Sequence, residues 1–215
     1  MPETTDPTFY RSPAAAVAAP PETLAYVAAF DPAGTQHDAM TVVDCDSGSP
    51  SYGQVVGWTD FPSAGNEFHH FGWNACSSAL CHAGHAHNGS LERRYLIVPG
   101  LRSSRTYVLD TKPDPRQPRV VRTIEPEELS AKAGYSRPHT VHCGPGGIFM
   151  SNLGGADGAD GPGGVALIDQ TPSRSPGRGR ATAASSTSGT TSRGTSTTTS
   201  RLRRSGRHRR WSSPA

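Results

Sequence analysis

The chain has no run approaching the roughly 18 consecutive apolar residues of a membrane helix, which excludes a helical span. Its opening residues, Met1-Pro2-Glu3-Thr4-Thr5-Asp6-Pro7, are acidic and proline-rich. A secretory signal has a basic start and an apolar centre, so the expected location is the cytoplasm. Cysteine is scarce: Cys45, Cys76, Cys81 and Cys143 are the four, and their uneven spacing excludes a CxxC…CxxC zinc signature. In a reducing compartment they read as thiols or ligands before disulfides. The last stretch lacks most. From Thr171 to Ala215 there are ten arginines but no lysine, aspartate or glutamate, and almost no apolar side chain. Taking those ten from the 21 basic residues leaves 11 against 18 acids, so residues 1–170 carry a formal charge of −7 and the tail +10. The overall +3 describes neither part.

What is present is a series of short β-branched runs separated by Gly, Pro and Asp. Ala39–Asp44 is answered across a turn by Tyr52–Trp58, and then come Tyr95–Pro99, Thr106–Asp110 and Arg119–Ile124. Gly147–Ser151 and Gly164–Asp169 close the series. One helix is expected over Glu125–Lys132, with Pro and acids in its first turn. The runs ending at Asp44, Asp110 and Asp169 share one form, apolar strand then Asp then turn residues. Loose repetition of that kind suits propeller blades, and a β-sandwich suits it equally. The organisation expected is a flexible arm over residues 1–24, an all-β body over 25–170 and a disordered tail over 171–215.

Two histidine-rich strings stand out, His69-His70-Phe71-Gly72-Trp73-Asn74-Ala75-Cys76-Ser77-Ser78 and Ser136-Arg137-Pro138-His139-Thr140-Val141-His142-Cys143. Imidazole and thiolate together suit copper or zinc better than magnesium or calcium. His69, His70, His139 and His142 are the candidate metal ligands, and a turn or bulge would aim His139 and His142 at one point. Core or capping histidines are the plainer alternative. Cys76 and Cys143 are candidate soft ligands or redox thiols, or else small buried hydrophobes. Cys81-His82-Ala83-Gly84-His85-Ala86-His87 is read as a surface loop, with adventitious metal binding the alternative.

These strings, with Arg93 to Leu129 and Gly161 to Asp169, resemble the selenium-binding protein family, which includes copper-dependent methanethiol oxidases. The resemblance runs from about Ala25 to Asp169 and implies a bacterial member. It implies a seven-bladed β-propeller, of which about three blades are represented, with a copper site built on His69, His70, His139 and His142. The implied reaction turns methanethiol, O2 and water into formaldehyde, hydrogen sulfide and hydrogen peroxide, so a small thiol and O2 are the expected partners. Selenium is a weaker expectation. Where selenium-carrying members have SPxYC, this chain reads Ser49-Pro50-Ser51-Tyr52-Gly53, and Gly53 has no side chain to bind it. A non-enzymatic selenium- or metal-binding scaffold is the second functional reading.

Past Gln170 the resemblance stops, and a shift of reading frame is the expected reason, with a natural basic tail the alternative. Codons chosen for Arg203–Ser212 can spell SEWASPQMV when read from their third bases, and Thr171–Ser175 and Thr187–Ser192 can hide TFEV and FWYHF in that register. The family resemblance implies such islands in chain order, a TFEV strand, then a DFW segment, then SEW. The gene is expected to contain them, and early stops in that frame would refute the idea. Taken at face value, the Arg-rich tail is too poor in apolar groups to fold and would meet nucleic acid only non-specifically, through phosphates. An incomplete ring exposes sheet faces, so an inactive, poorly stable or aggregating product is expected.

Overall fold

The computed structural model describes residues 10, 12–76, 92–144 and 147–169. It is all-β, with three antiparallel meanders following one another in the chain. The first sheet has the order β1 (Leu24–Ala29), β2 (His37–Asp44), β3 (Val55–Ala64). The second runs β4 (Gly72–Trp73), β5 (Tyr95–Pro99), β6 (Thr106–Asp110), β7 (Arg119–Ile124). The third consists of β8 (Tyr135–Gly144), β9 (Gly147–Gly155) and β10 (Asp160–Ile168), with β9 central. No described helix is long and apolar enough to cross a membrane.

The second sheet lies between the other two, and its sequence shows why. Strands buried on one face alternate, whereas strands buried on both read as continuous apolar runs. Every residue of Tyr95–Pro99 and Thr106–Asp110 is buried. Leu96, Val98, Tyr107 and Leu109 pack with Met40, Phe61 and Phe68 of the first sheet and its following loop. Tyr95, Ile97 and Val108 point the other way, onto Ile148 of the third sheet. The Phe61 ring sits 4.5 Å from Phe68 and 4.9 Å from Tyr107 between centroids, both tilted. Outer faces are less well covered. Val27 and Trp58 flank Thr41 across the first sheet and are 47% and 51% exposed. Phe149, Leu153 and Val165 share the far face of the third sheet, all more than 40% exposed.

The repeated aspartates close the turns after their strands. Asp44 accepts from the Asp46 N–H and from the Ser49 and Ser51 hydroxyls. Asp110 accepts from the Lys112 N–H and, in a fork, from Arg94 Nε at 2.8 Å and Nη2 at 2.6 Å. A short acceptor two residues before a donor caps a turn locally, which is why one pattern recurs at both places. The hydroxyls hold Asp44, and the guanidinium holds Asp110, below the usual carboxylate range.

Helix α2 (Pro126–Ala133) forms where expected, one residue later, with Pro in its first turn and Gly134 left-handed at its end. The arm differs from expectation. A one-and-a-half-turn helix, α1 (Pro13–Ala18), starts at Ser12, whose hydroxyl accepts from Ala15 N–H at 3.1 Å. The sheet begins at Leu24, inside the stretch assigned to the arm. β8 is a second difference: Pro, Arg and two histidines hide a ten-residue strand. The tail from residue 170 onward and the Cys81–His87 string lie outside the described residues.

Candidate functional site

The two histidine strings meet at the seam between the second and third sheets. Gly72 permits this, because a Cβ there would come within 3.2 Å of Val141 Cγ2 on β8. Ahead of it, residues 65–71 form a loop fixed from below by a buried carboxylate. Asp38 Oδ2 accepts from the backbone N–H and the side-chain amide of Asn66, both at 2.8 Å, while Oδ1 accepts from Asp31 N–H at 3.0 Å. Asn66 also donates to Ser63 O, and its Oδ1 accepts from the Tyr107 hydroxyl. The loop then turns through Glu67, which has a left-handed φ of 59°.

His69, His70 and His139 form one cluster. The His70 and His139 rings meet edge to face at 4.4 Å between centroids, and His69 lies 5.7 Å from His139. Phe30 stacks on His69 at 6.2 Å. Glu67 Oε1 reaches His69 Nε2 at 2.9 Å, and its other oxygen holds Arg102 at 2.9 Å. The His69 bond, with Arg102 beside it, keeps Glu67 below the ordinary carboxylate range. His139 is shifted down, first by burial and then by the neighbouring His70 and His69, so it favours the neutral imidazole.

His139 owes its place to a β-bulge. Pro138 pairs with Asn152 and Val141 with Met150, so His139 and Thr140 together oppose Ser151. Thr140 N–H donates to Ser151 Oγ at 3.0 Å, completing the distortion. A bulge re-aims a side chain in this way, but it does not bring His139 and His142 to one point as the spacing of the histidines suggested. His142 does not join the other three. It sits opposite exposed Phe149, and its Nδ1 lies 2.6 Å from Cys143 O. Among the described residues no three His, Cys, Asp or Glu side chains are arranged to hold a metal ion. The donor type still suits a borderline cation, since imidazole is a usual ligand of one and the His69 and His70 rings lie 5.7 and 4.4 Å from that of His139.

Cys76 and Cys143 correct the thiol expectation. They form a disulfide with Cα atoms 6.2 Å apart and a sequence separation of 67. Asn74 brings the first of them there: its Oδ1 accepts from Arg94 and Tyr95 N–H, and its amide donates to Glu92 O. β4 lies against β8, and the bond closes that contact covalently. A sulfur so engaged is not a metal ligand, which leaves Cys45, exposed, as the free cysteine among the described residues. Trp73 is held by packing: its ring meets Tyr26 edge-on and carries the Arg93 guanidinium 5.0 Å from its centroid. Gly53 sits in a turn with a φ of 75°, a conformation that disfavours cysteine there.

Stacked antiparallel meanders, with an imidazole cluster at a sheet seam, make this an all-β protein. Comparison with known proteins makes the class specific. Residues 3–185 match the model of the 56kDa selenium binding protein family, and the chain belongs to that family. The match is wider at both ends than the stretch from Ala25 to Asp169. Selenium-binding protein 2 of Arabidopsis thaliana is 42% identical over 164 residues, which is 74% of this chain and 32% of that protein. A Xenopus laevis methanethiol oxidase is 42% identical over 163 residues, covering 74% and 33%. The crystal structure of a hypothetical selenium-binding protein from Sulfolobus tokodaii superposes with a TM-score of 0.71 at 52% identity, covering 77% of this chain and 36% of that one. The chain thus spans about a third of the length of the curated relatives it matches.

Proposed function

We propose that this chain carries part of the metal site of a copper-dependent methanethiol oxidase. The observation that carries the reading is the proximity of His69 and His70, from the loop before β4, to His139 of β8, in a family whose members include proteins named methanethiol oxidase. The reaction joins one methanethiol, one O2 and one water, and releases one formaldehyde, one hydrogen sulfide and one hydrogen peroxide. Bound copper would supply a Lewis acid for the thiolate sulfur and a one-electron route to O2. The protein's part is to hold neutral imidazoles in place: burial favours the uncharged form of His139, and the bulge turns it toward His70. His142 is exposed and takes no part in this cluster. The stack of three meanders, with apolar outer faces on the first and third, supports reading the architecture as three blades of a propeller. A second reading, metal binding without turnover, rests on the relatives that are named for selenium binding rather than for an oxidase. Selenium carriage by this chain is disfavoured by Gly53.

Titration of the metal-free chain with Cu(II) tests the metal reading directly. Stoichiometric binding is expected near neutral pH, with H70A and H139A each weakening it at least roughly tenfold, a loss on the order of 1.4 kcal/mol. Protons compete with the metal for imidazole lone pairs below the ordinary pKa of about 6.5. Affinity should therefore fall as the pH is lowered, and His139, held below the ordinary imidazole range by burial, keeps its lone pair to lower pH. Copper binding unaffected by both substitutions would defeat the assignment. Methanethiol-dependent peroxide formation by a full-length relative, lost on chelation, separates oxidase from scaffold.

A further inference from the structure

We propose that Glu67 is a positioning residue for His69: it fixes this imidazole in its Nε2–H form and leaves Nδ1 as the nitrogen offered to a ligand. The inference rests on the metal reading only for the identity of that ligand.

Glu67 faces Arg102 on one side and His69 on the other. Arg102 Nε and Nη2 both reach Glu67 Oε2 at 2.9 Å, and Arg102 Nη1 reaches Pro32 O at 3.4 Å. A carboxylate gripped by a guanidinium is ionised and can only accept hydrogen bonds. The 2.9 Å contact from Glu67 Oε1 to His69 Nε2 therefore requires the proton to be on Nε2. In a neutral ring the lone pair is then on Nδ1. Phe30, stacked at 18° to the imidazole, fixes the ring plane that the carboxylate fixes at its edge.

The backbone supports the same reading. Glu67 has a φ of 59°, in the left-handed region that residues with a Cβ rarely adopt. Such a conformation persists where the surroundings over-determine it, and Asp38 does so by binding Asn66 twice, one residue earlier. His139 is held by its opposite nitrogen, Nδ1, 3.0 Å from Thr140 Oγ1, which leaves its Nε2. The two rings are thus held by unlike nitrogens, Nε2 in His69 and Nδ1 in His139. A carboxylate behind an imidazole ligand orients the ring and raises its basicity.

A merely structural ion pair would not set a tautomer, so the tautomer is the test. In the 15N-labelled, metal-free chain at about pH 8, where imidazole is neutral, two-bond 1H–15N spectra should show His69 as Nε2–H. E67A should return it to a mixture, and E67Q, which keeps an acceptor oxygen, should preserve the wild-type form. Cu(II) titration should then show E67A weakened roughly 10–100-fold with an altered nitrogen hyperfine pattern, and E67Q weakened less. An Nδ1–H form in the wild type, or the same tautomer in E67A, overturns the proposal. So does copper binding by E67A with unchanged affinity and spectrum. A wild-type chain that shows Nε2–H yet takes up no copper supports the placement by Glu67 and instead defeats the metal reading.

Discussion

Reduction of the Cys76–Cys143 bond is expected to lower the free energy of unfolding by roughly 4 kcal/mol. The figure is the chain-entropy cost released when a closed loop of this length opens. It is large beside the alternatives. The pairs of Arg93 with Glu22 and Lys132 with Glu128 involve exposed groups, and such pairs contribute about 0–1 kcal/mol each. Against a typical total of about 5–15 kcal/mol, losing the covalent link would remove a quarter or more of the stability. The urea midpoint should fall on adding a phosphine reductant, and the C76S/C143S double variant should show the lower value with or without reductant. Equal midpoints for the oxidised and reduced protein would mean that the two sulfurs are not joined in solution. Because β4 and β8 also carry the histidine strings, reduction should loosen the His70–His139 contact and weaken metal binding in parallel.

Replacing Asp38 by alanine should cost about 3–5 kcal/mol. Asp38 is fully buried, and its removal strands the Asn66 amide, the Asn66 backbone N–H and the Asp31 N–H. Each buried donor left unpaired costs roughly 1–3 kcal/mol, partly recovered where the loop can relax into water. D38N retains one acceptor oxygen and should fall between the two. The same substitution releases the turn that precedes Glu67, so the histidine cluster loses its support along with the fold. Chemical denaturation gives the first effect and a Cu(II) titration the second. A loss below about 1 kcal/mol would show that water replaces the carboxylate freely.

The parts of the fold that follow local rules are legible in the amino-acid order alone. The limits of β5, β6 and β7 are those of their β-branched runs, and the helix after Glu125 starts at its proline. β1, Leu-Ala-Tyr-Val-Ala-Ala, is too rich in alanine to stand out, and β4 is only two residues long. β8 contains Pro138 and Arg137, which argue against a strand until the bulge is seen to absorb them. The disulfide joins residues that are remote in sequence, so only the packing of sheet on sheet reveals it. His69, His70 and His139 stand out by residue type and by family resemblance. Glu67, Arg102 and Asp38 do not, because a charged residue next to a turn ordinarily reads as solvated surface. What signals Asp38 and Glu67 is burial in one case and a left-handed backbone in the other, and neither is written in composition.

The bulge at His139 and Thr140 ties two properties to the length of one strand. Deleting or inserting a single residue there would invert the side-chain phase of one half of β8 relative to the other. Either half matters: one positions His139 against the opposing imidazoles, and the other delivers Cys143 to its covalent partner. A point substitution in the strand can spare both, whereas a one-codon indel cannot, so this segment should tolerate changes in residue identity far better than changes in residue number.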